Sequence, residues 1–460
     1  MNRRDLFKLV GKIGVIAAAK VVSWPVLDRL GVSGEEWIAE AASMPQNYVV
    51  RDPTLITDFS STTGMTLTQG TGSVALDTDP TYIRTGTKSL KIVQQANAFS
   101  ALVDLDCRNA AFGGTGSEGF SAKSDSLFLL RSFVDTPGNQ NTISMFLSNT
   151  AGGFTDYFAA TKAPSQMSAS RTSHWWDRTE GRKDWTVGAG SPSWSTPIRT
   201  IRLRPSANSN GILTTWLDAF YRGGYARPKI LLTFDDSNDQ QYNRAKPILD
   251  AYGLKGTFYC IGDPISRNVT GSLTMAMAQT LYYEGHDLAF HQWLNTYNNY
   301  TELTADQLDS EVTNWLALAK ANGWSRAMYD LAYPQGTNTA TIRTQLSARG
   351  FRSARTTLRL LQSQVLGLDD AMDIRGFSWD SSDGTAGPIS WMNDAVTYGL
   401  VMPIAFHQHH ATTSTGAQIS DADFTTIVRY AYLLQQANLA DVVTVSEWYQ
   451  GLTTGRKRRG

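Results

Sequence analysis

The 460-residue sequence is poor in cysteine, with only Cys107 and Cys260. Two distant thiols make no disulfide framework, and Cys260 sits in the apolar run Gly256-Thr-Phe-Tyr-Cys-Ile261, where a buried free thiol is the simpler reading. Cysteine usage therefore leaves the compartment open. An excess of one charge is also missing. Lys+Arg and Asp+Glu both number 41, giving a formal net charge of zero. The basic footprint of a nucleic-acid binder is absent, so no nucleic-acid partner is expected. The one dense basic run, Arg456-Lys-Arg-Arg459, reads as a solvated tail at 455–460. The apolar run from Leu9 to Val22 is broken by Lys12 and Lys20, too short and too charged for a stable membrane span. Histidine is scarce as well, yet three of the six fall within four positions, His407, His409 and His410.

What is present divides the chain. Arg3-Arg4-Asp5-Leu6-Phe7-Lys8 ahead of the mild apolar run is an export pattern similar to a twin-arginine signal, with a small-residue cleavage site at Ala39-Glu40-Ala41. It implies passage through twin-arginine export machinery to the periplasm or outside. The alternative is an amphipathic N-terminal helix. Residues 1–44 are set apart as signal and linker. From 45 to 225 the texture is rich in Thr, Ser and Gly, with short alternating runs such as Ser89-Leu-Lys-Ile-Val93 and Thr200-Ile-Arg-Leu-Arg204. That pattern predicts an all-β sandwich. Gly86-Thr-Lys-Ser-Leu-Lys-Ile and Leu217-Asp-Ala-Phe-Tyr221 loosely resemble jelly-roll carbohydrate-binding modules. Trp175, Trp176, Trp185, Trp194 and Trp216 would then form a sugar platform or, equally well, core; His174 beside them reads as structural.

From 226 to 454 strand-like and helix-like runs alternate, the signature of βα repeats. Helices are expected over 240–252, 273–284, 303–322, 339–350 and 421–438, and strands over 257–261, 329–333, 401–406 and 442–445. The stretch Pro228-Lys-Ile-Leu-Leu-Thr-Phe-Asp-Asp-Ser237 organises this half. Its apolar run suits a buried strand that delivers Asp235 and Asp236 to its C-terminal end, where parallel α/β folds build sites. Neighbouring side chains on a strand point opposite ways, so the two acids can serve different roles.

Four motifs in order resemble the NodB-like polysaccharide deacetylases. Thr233-Phe-Asp-Asp-Ser237 is similar to the first family motif, with Ser237 where the motif has glycine. His291-Gln-Trp-Leu-Asn295 is similar to the second, with Asn295 in place of the second histidine. Leu331-Ala-Tyr-Pro-Gln-Gly336 is similar to the third, and Ile404-Ala-Phe-His407 to the last. The resemblance covers roughly the last half of the chain and implies a distorted (β/α) barrel behind the β-sandwich.

It further implies a metal-dependent hydrolase that removes acetyl groups, N-acetyl first, from an acetylated polysaccharide. Asp236, His291 and Asn295 would hold a divalent metal, zinc by analogy, although an Asn carbonyl oxygen is a poorer zinc ligand than imidazole. The metal could then be weak, different, completed by another residue, or absent. His409 or His410 is the candidate replacement. Asp235 would be the general base, His407 the general acid, Tyr333 and its neighbours the source of an oxyanion-holding N–H, and Asp383, with Asp380, the acid orienting His407. Pro334 and Trp293 would contact substrate, and His286 would be structural. The other readings are a catalytically impaired sugar-binding protein on the same scaffold and an O-acetyl esterase.

Overall fold

The computed structural model describes residues 52–114, 116, 118–122, 127–163, 174–181, 184–361 and 371–457. The expected export signal and the end of the basic tail lie outside them. Among the described residues no helix is long and apolar enough to cross a membrane.

Residues 54–222 form two six-stranded antiparallel sheets. One runs in the order Ser73–Asp77, Ser89–Gln94, Leu213–Arg222, Leu127–Val134, His174–Gly181, with Thr54–Thr57 also on Leu213–Arg222. The other runs Thr186–Ala189, Tyr157–Lys162, Gln140–Ser148, Thr200–Ala207, Leu102–Asp106, Met65–Thr68. Strand alternation sends Leu90, Ile92, Leu130 and Phe220 of the first sheet and Ile143, Met145, Leu147, Ile201 and Leu203 of the second into one shared apolar cluster. Trp185 belongs to that cluster and Trp194 packs on it, stacked on Phe158 at 4.3 Å. Trp216 is buried under Tyr82 at 3.8 Å, with its Nε1 donating to Asp77 at 2.9 Å. These three indoles are therefore packed and do not form an open platform. Trp175 and Trp176 lie on His174–Gly181, and their side chains are outside the described set.

The second half is built on parallel strands: β1 (Lys229–Phe234), β2 (Thr257–Ile261), β3 (Asp287–Gln292), β4 (Asp330–Ala332), β5 (Ser353–Arg355), β6 (Phe377–Ser378), β7 (Val401–Phe406) and β8 (Asp441–Val442). Their order is β5-β4-β3-β2-β1-β7-β6, with β8 also on β1. The result is a half-barrel: β5 and β6 do not pair, and an isolated bridge from Arg355 to Ile374 lies near the opening. Both faces are covered, which is why β1 reads as an unbroken apolar run. Ile230, Leu232 and Phe234 face the helix layer, and Leu231 joins the inner cluster with Tyr259, Ala289 and Trp448.

The helices fall where apolar spacing puts them. Met275–Tyr283, Ala305–Ala321, Ala340–Ala348 and Asp421–Gln436 match the expected segments within a few residues, and Thr304 with Gln307 makes a capping box on the longest. Two expectations change. The segment after the paired aspartates is a π-turn, Gln241–Ala245, before the α-helix Lys246–Ala251. The last strand is only Asp441–Val442, and Val445 starts a C-terminal helix instead. The first turn of that helix is satisfied by Asp287, which accepts from Ser446 N (2.9 Å) and Ser446 Oγ (3.0 Å), by Thr257, which accepts the N–H of Val445, and by Glu447, which accepts the N–H of Thr444. The β-rich region rests against the half-barrel: Leu127 and Leu129 enter its main core, and Tyr225 donates to the carbonyl of Val396 at 2.7 Å.

Candidate active site

Register builds the site. β1 and β7 pair over six residues, from Lys229 opposite Val401 to Phe234 opposite Phe406. The next residue of each strand is Asp235 and His407, so the two are carried to the C-terminal edge together. Asp235 N donates to Phe406 O at 2.9 Å. Gln241, fully buried at the start of the π-turn, ties the two ends: its Nε2 donates to the carbonyls of Asp235 and of His407, the latter at 2.8 Å. A π-turn at a strand-end site is a common device for aiming one side chain.

The adjoining aspartates part as strand geometry requires. Asp235 points inward and is 2% exposed. Its Oδ2 lies 2.5 Å from Arg355 Nη2 and 3.8 Å from His407 Nε2, and its Oδ1 is buried without a hydrogen-bond partner. Asp236 stands half exposed, with Oδ1 3.3 Å from His291 Nε2. Both Asp236 (φ 73°) and Ser237 (φ 55°) adopt left-handed backbone, strained for residues with a Cβ. Glycine would relieve Ser237, but its hydroxyl compensates by accepting the N–H of Ile261 at 2.7 Å.

His291 donates from Nδ1 to Ala332 O at 2.8 Å; the neutral ring then keeps its lone pair on Nε2, and the protonated ring donates from Nε2 to Asp236. Burial opposes charge on this ring, yet the hydrogen bond to Asp236 and the two nearby carboxylates raise its pKa. Burial likewise pushes the Asp236 pKa up, but the hydrogen bond and charge of His291, with the charges of His407 and Arg355, together outweigh it and the net shift is downward.

Several expected partners are elsewhere. Asn295 lies in the bend and turn after His291 and not on a helix; it is exposed, and its Oδ1 accepts from Gln292 Nε2 at 3.3 Å. His409 is not the missing ligand. Its ring is buried against Phe424 (4.7 Å), Phe234 (5.8 Å) and Phe406 (6.3 Å), on the helix side of β1 and away from Asp235. The reason is that β7 ends at Phe406 and Gln408–His410 starts a separate short pair, so His407 and His409 do not share a face. His410 is exposed and accepts from Thr412 N and Thr413 N. Asp383 is forked by Arg359 at 2.7 and 2.8 Å, and His407 Nδ1 is buried with no partner, so Asp383 does not bond that nitrogen.

Tyr333 serves as scaffold. Its N–H donates to Arg355 O and its hydroxyl to Met372 O, both at 2.9 Å. Pro334 is buried, and Gln335, exposed with φ 56°, comes next in that turn. Trp293 is half-buried with its ring over Gly262, and Glu311 accepts the N–H groups of Trp293 and Leu294. Sequence reasoning did not reach Arg355 or Gln241. An arginine closing a short strand in Phe351-Arg-Ser-Ala-Arg355 is the only hint of the first; nothing marks the second.

Asp236 and His291 suit a divalent cation: an anionic oxygen beside an imidazole whose other nitrogen is already spent on a carbonyl. Among the described residues no third His, Cys, Asp or Glu joins them within ligand range. The one such group of three, Asp250, Glu284 and His286, lies at the other end of the sheet. Lys246 bonds both of its acids at 2.5 and 2.6 Å. His286 Nδ1 accepts the N–H of Gly256 at 3.1 Å, which places the proton on Nε2 and leaves no lone pair for an ion.

Residues 222–354 match the family model described as polysaccharide deacetylase, a stretch that takes in Asp235, Asp236 and His291 and ends before His407. No curated protein sequence matches. Among solved structures the chain is similar to the deacetylase PplD of Streptococcus pyogenes in complex with acetate, at 25% identity, over 32% of this chain and 63% of that one, TM-score 0.28. It is similar to the peptidoglycan deacetylase PdaC of Bacillus subtilis at 16% identity, over 51% and 95%, TM-score 0.33. A third similarity is to a family 4 acetyl xylan esterase of Clostridium thermocellum in complex with a cobalt ion, at 15% identity, over 48% and 90%, TM-score 0.31.

Proposed function

We propose that the chain is a hydrolase that removes acetyl groups from a polysaccharide, with N-acetyl groups as the first candidates. The observation that carries this reading is the division of labour between adjacent aspartates: Asp235 buried between Arg355 and His407, Asp236 exposed beside His291. The family match over residues 222–354 supports it.

In this reading Asp236 and His291 would hold a divalent cation, zinc first. The cation supplies Lewis acidity toward the acyl carbonyl and toward water. Asp235 takes the proton of the attacking water through its free Oδ1, while Arg355 holds that carboxylate in place through Oδ2. His407, 3.8 Å away, returns a proton to the leaving sugar nitrogen or oxygen. Gln335 N–H, exposed in the turn after Tyr333, replaces Tyr333 as the oxyanion donor, since the Tyr333 amide is already committed.

The β-rich region is proposed as an accessory sugar-binding module of residues 45–225. The Arg3-Arg4 segment is proposed as a twin-arginine export signal, checked by fractionation of the wild type against an Arg3→Lys, Arg4→Lys variant. One observation favours a second reading, a sugar-binding protein of low turnover: among the described residues the ligand pair lacks a third His, Cys, Asp or Glu. Acetate release from chitin oligomers, peptidoglycan and acetylated xylan under added zinc or cobalt separates the two, and the responding substrate decides between amide and ester.

A further inference from the structure

The outward face of the second antiparallel sheet carries an arginine without a counter-charge among the described residues. On Gln140–Ser148 and Thr200–Ala207 the odd positions Met145, Leu147, Ile201 and Leu203 go to the core, so Phe146, Arg202 and Arg204 point outward. Arg202 is satisfied, bidentate to Asp104 at 2.7 Å for each bond, with its guanidinium 4.2 Å from the Phe154 ring. Arg204 differs. Its guanidinium lies 4.8 Å from Phe146 and 5.2 Å from Phe99, its Nε is buried without an acceptor, and its side chain forms no ion pair among the described residues. Burial, then the neighbouring Arg202 charge, lowers its pKa. Phe99, the second ring against that guanidinium, is 58% exposed and so open to a ligand. Phe146, Phe154 and Tyr157 brace one another edge to face at 5.6 to 6.1 Å.

We infer that this face binds an acidic polysaccharide, with Arg204 taking a sugar carboxylate and the flanking rings taking the pyranose faces. A partly buried guanidinium packed against two aromatic rings has little freedom left to lose on binding, and its two Nη groups match a carboxylate bidentately. The other sheet of this region is the one packed against the half-barrel through Leu127 and Leu129, so the Arg204 face is turned away from that contact. The inference deepens the polysaccharide reading of the half-barrel and takes its choice of probe from it.

The test uses the full wild-type chain and measures affinity-gel retardation and titration calorimetry on unacetylated polygalacturonate and on a neutral, deacetylated glucomannan. Polygalacturonate is expected to bind and glucomannan to bind at least tenfold more weakly. Arg204→Gln should weaken polygalacturonate binding about tenfold or more, from the range for a charged hydrogen bond. Phe99→Ala, at an exposed ring, should weaken it with no change in melting temperature. Binding of neither polymer, equal binding of both, retention of inorganic polyphosphate in place of polygalacturonate, or unchanged binding by Arg204→Gln overturns the assignment. Acetate release by Arg204→Gln alone, assayed on a short chitin oligomer, is expected to equal the wild type. Polygalacturonate binding without acetate release from any substrate sinks the hydrolase reading and leaves the surface standing; acetate release without polymer binding does the reverse.

Discussion

Arg355 Nη2 sits 2.5 Å from Asp235 Oδ2 inside the half-barrel, and each side chain is only 2–3% exposed. The pair is formed from strands at different places in the sheet, β1 and β5. Removing one member leaves a buried charge alone, which costs more than the pair contributes. Arg355→Met is expected to lose about 3–5 kcal/mol of stability, read by urea denaturation. Adding Asp235→Asn should restore part of that loss, because the orphaned charge goes with it. A double variant no more stable than Arg355→Met would contradict the pairing.

Ser237 holds a left-handed backbone that glycine would adopt without strain, yet its hydroxyl satisfies the buried N–H of Ile261. Ser237→Ala keeps the strain and loses the acceptor, so it should cost about 1–3 kcal/mol. Ser237→Gly loses the acceptor but relieves the strain, and should cost less than Ser237→Ala. Thermal melting of the two variants checks the order.

Gln241 has one amide group on the carbonyls of both Asp235 and His407. Gln241→Leu should lower kcat by up to about 10²-fold, the scale of a small misplacement of reacting groups. KM should move little, because Gln241 is fully buried. A kcat within twofold of wild type in a folded Gln241→Leu protein would show that the two strand ends hold their places unaided.

Burial, the largest cause in each case, holds His286 and His409 down to about 3. In the unfolded chain both titrate near 6.5. Above that value both states are neutral and the two rings add no pH dependence. As pH falls below 6.5 only the unfolded chain takes up protons, so stability drops by roughly 1.4 kcal/mol per pH unit per ring until the folded value is reached. His409 has three phenylalanines around it and no polar partner, so His409→Leu should flatten the acid limb by about one proton's share. Denaturation midpoints from pH 7 to pH 4 measure this.

Much of the second half was legible because parallel strands between helix layers write themselves as apolar runs, and β1 with its terminal aspartates is the clearest. Asp235, Asp236, His291 and His407 could be picked out because each follows or ends such a run. The partners were not legible, since contact across a sheet leaves no local trace: Arg355 reaches Asp235 from β5, and Gln241 works through a π-turn that apolar spacing reads as ordinary helix. His409 misled for a related reason. Spacing of two places it beside His407 only if the strand continues, and it stops at Phe406. The tryptophans of the β-rich region were ambiguous from composition, while the outward Arg204 and Phe146 lay within plain alternating runs.

The most direct measurement is acetate release from chitin oligomers and peptidoglycan by the purified full chain under saturating zinc or cobalt, beside Asp235→Asn. The expected result is metal-stimulated release by the wild type, lowered about 10²–10⁴-fold by Asp235→Asn. Release that is undiminished in Asp235→Asn, or no release from any acetylated polymer at saturating metal, would contradict the roles given to Asp235 and its neighbours.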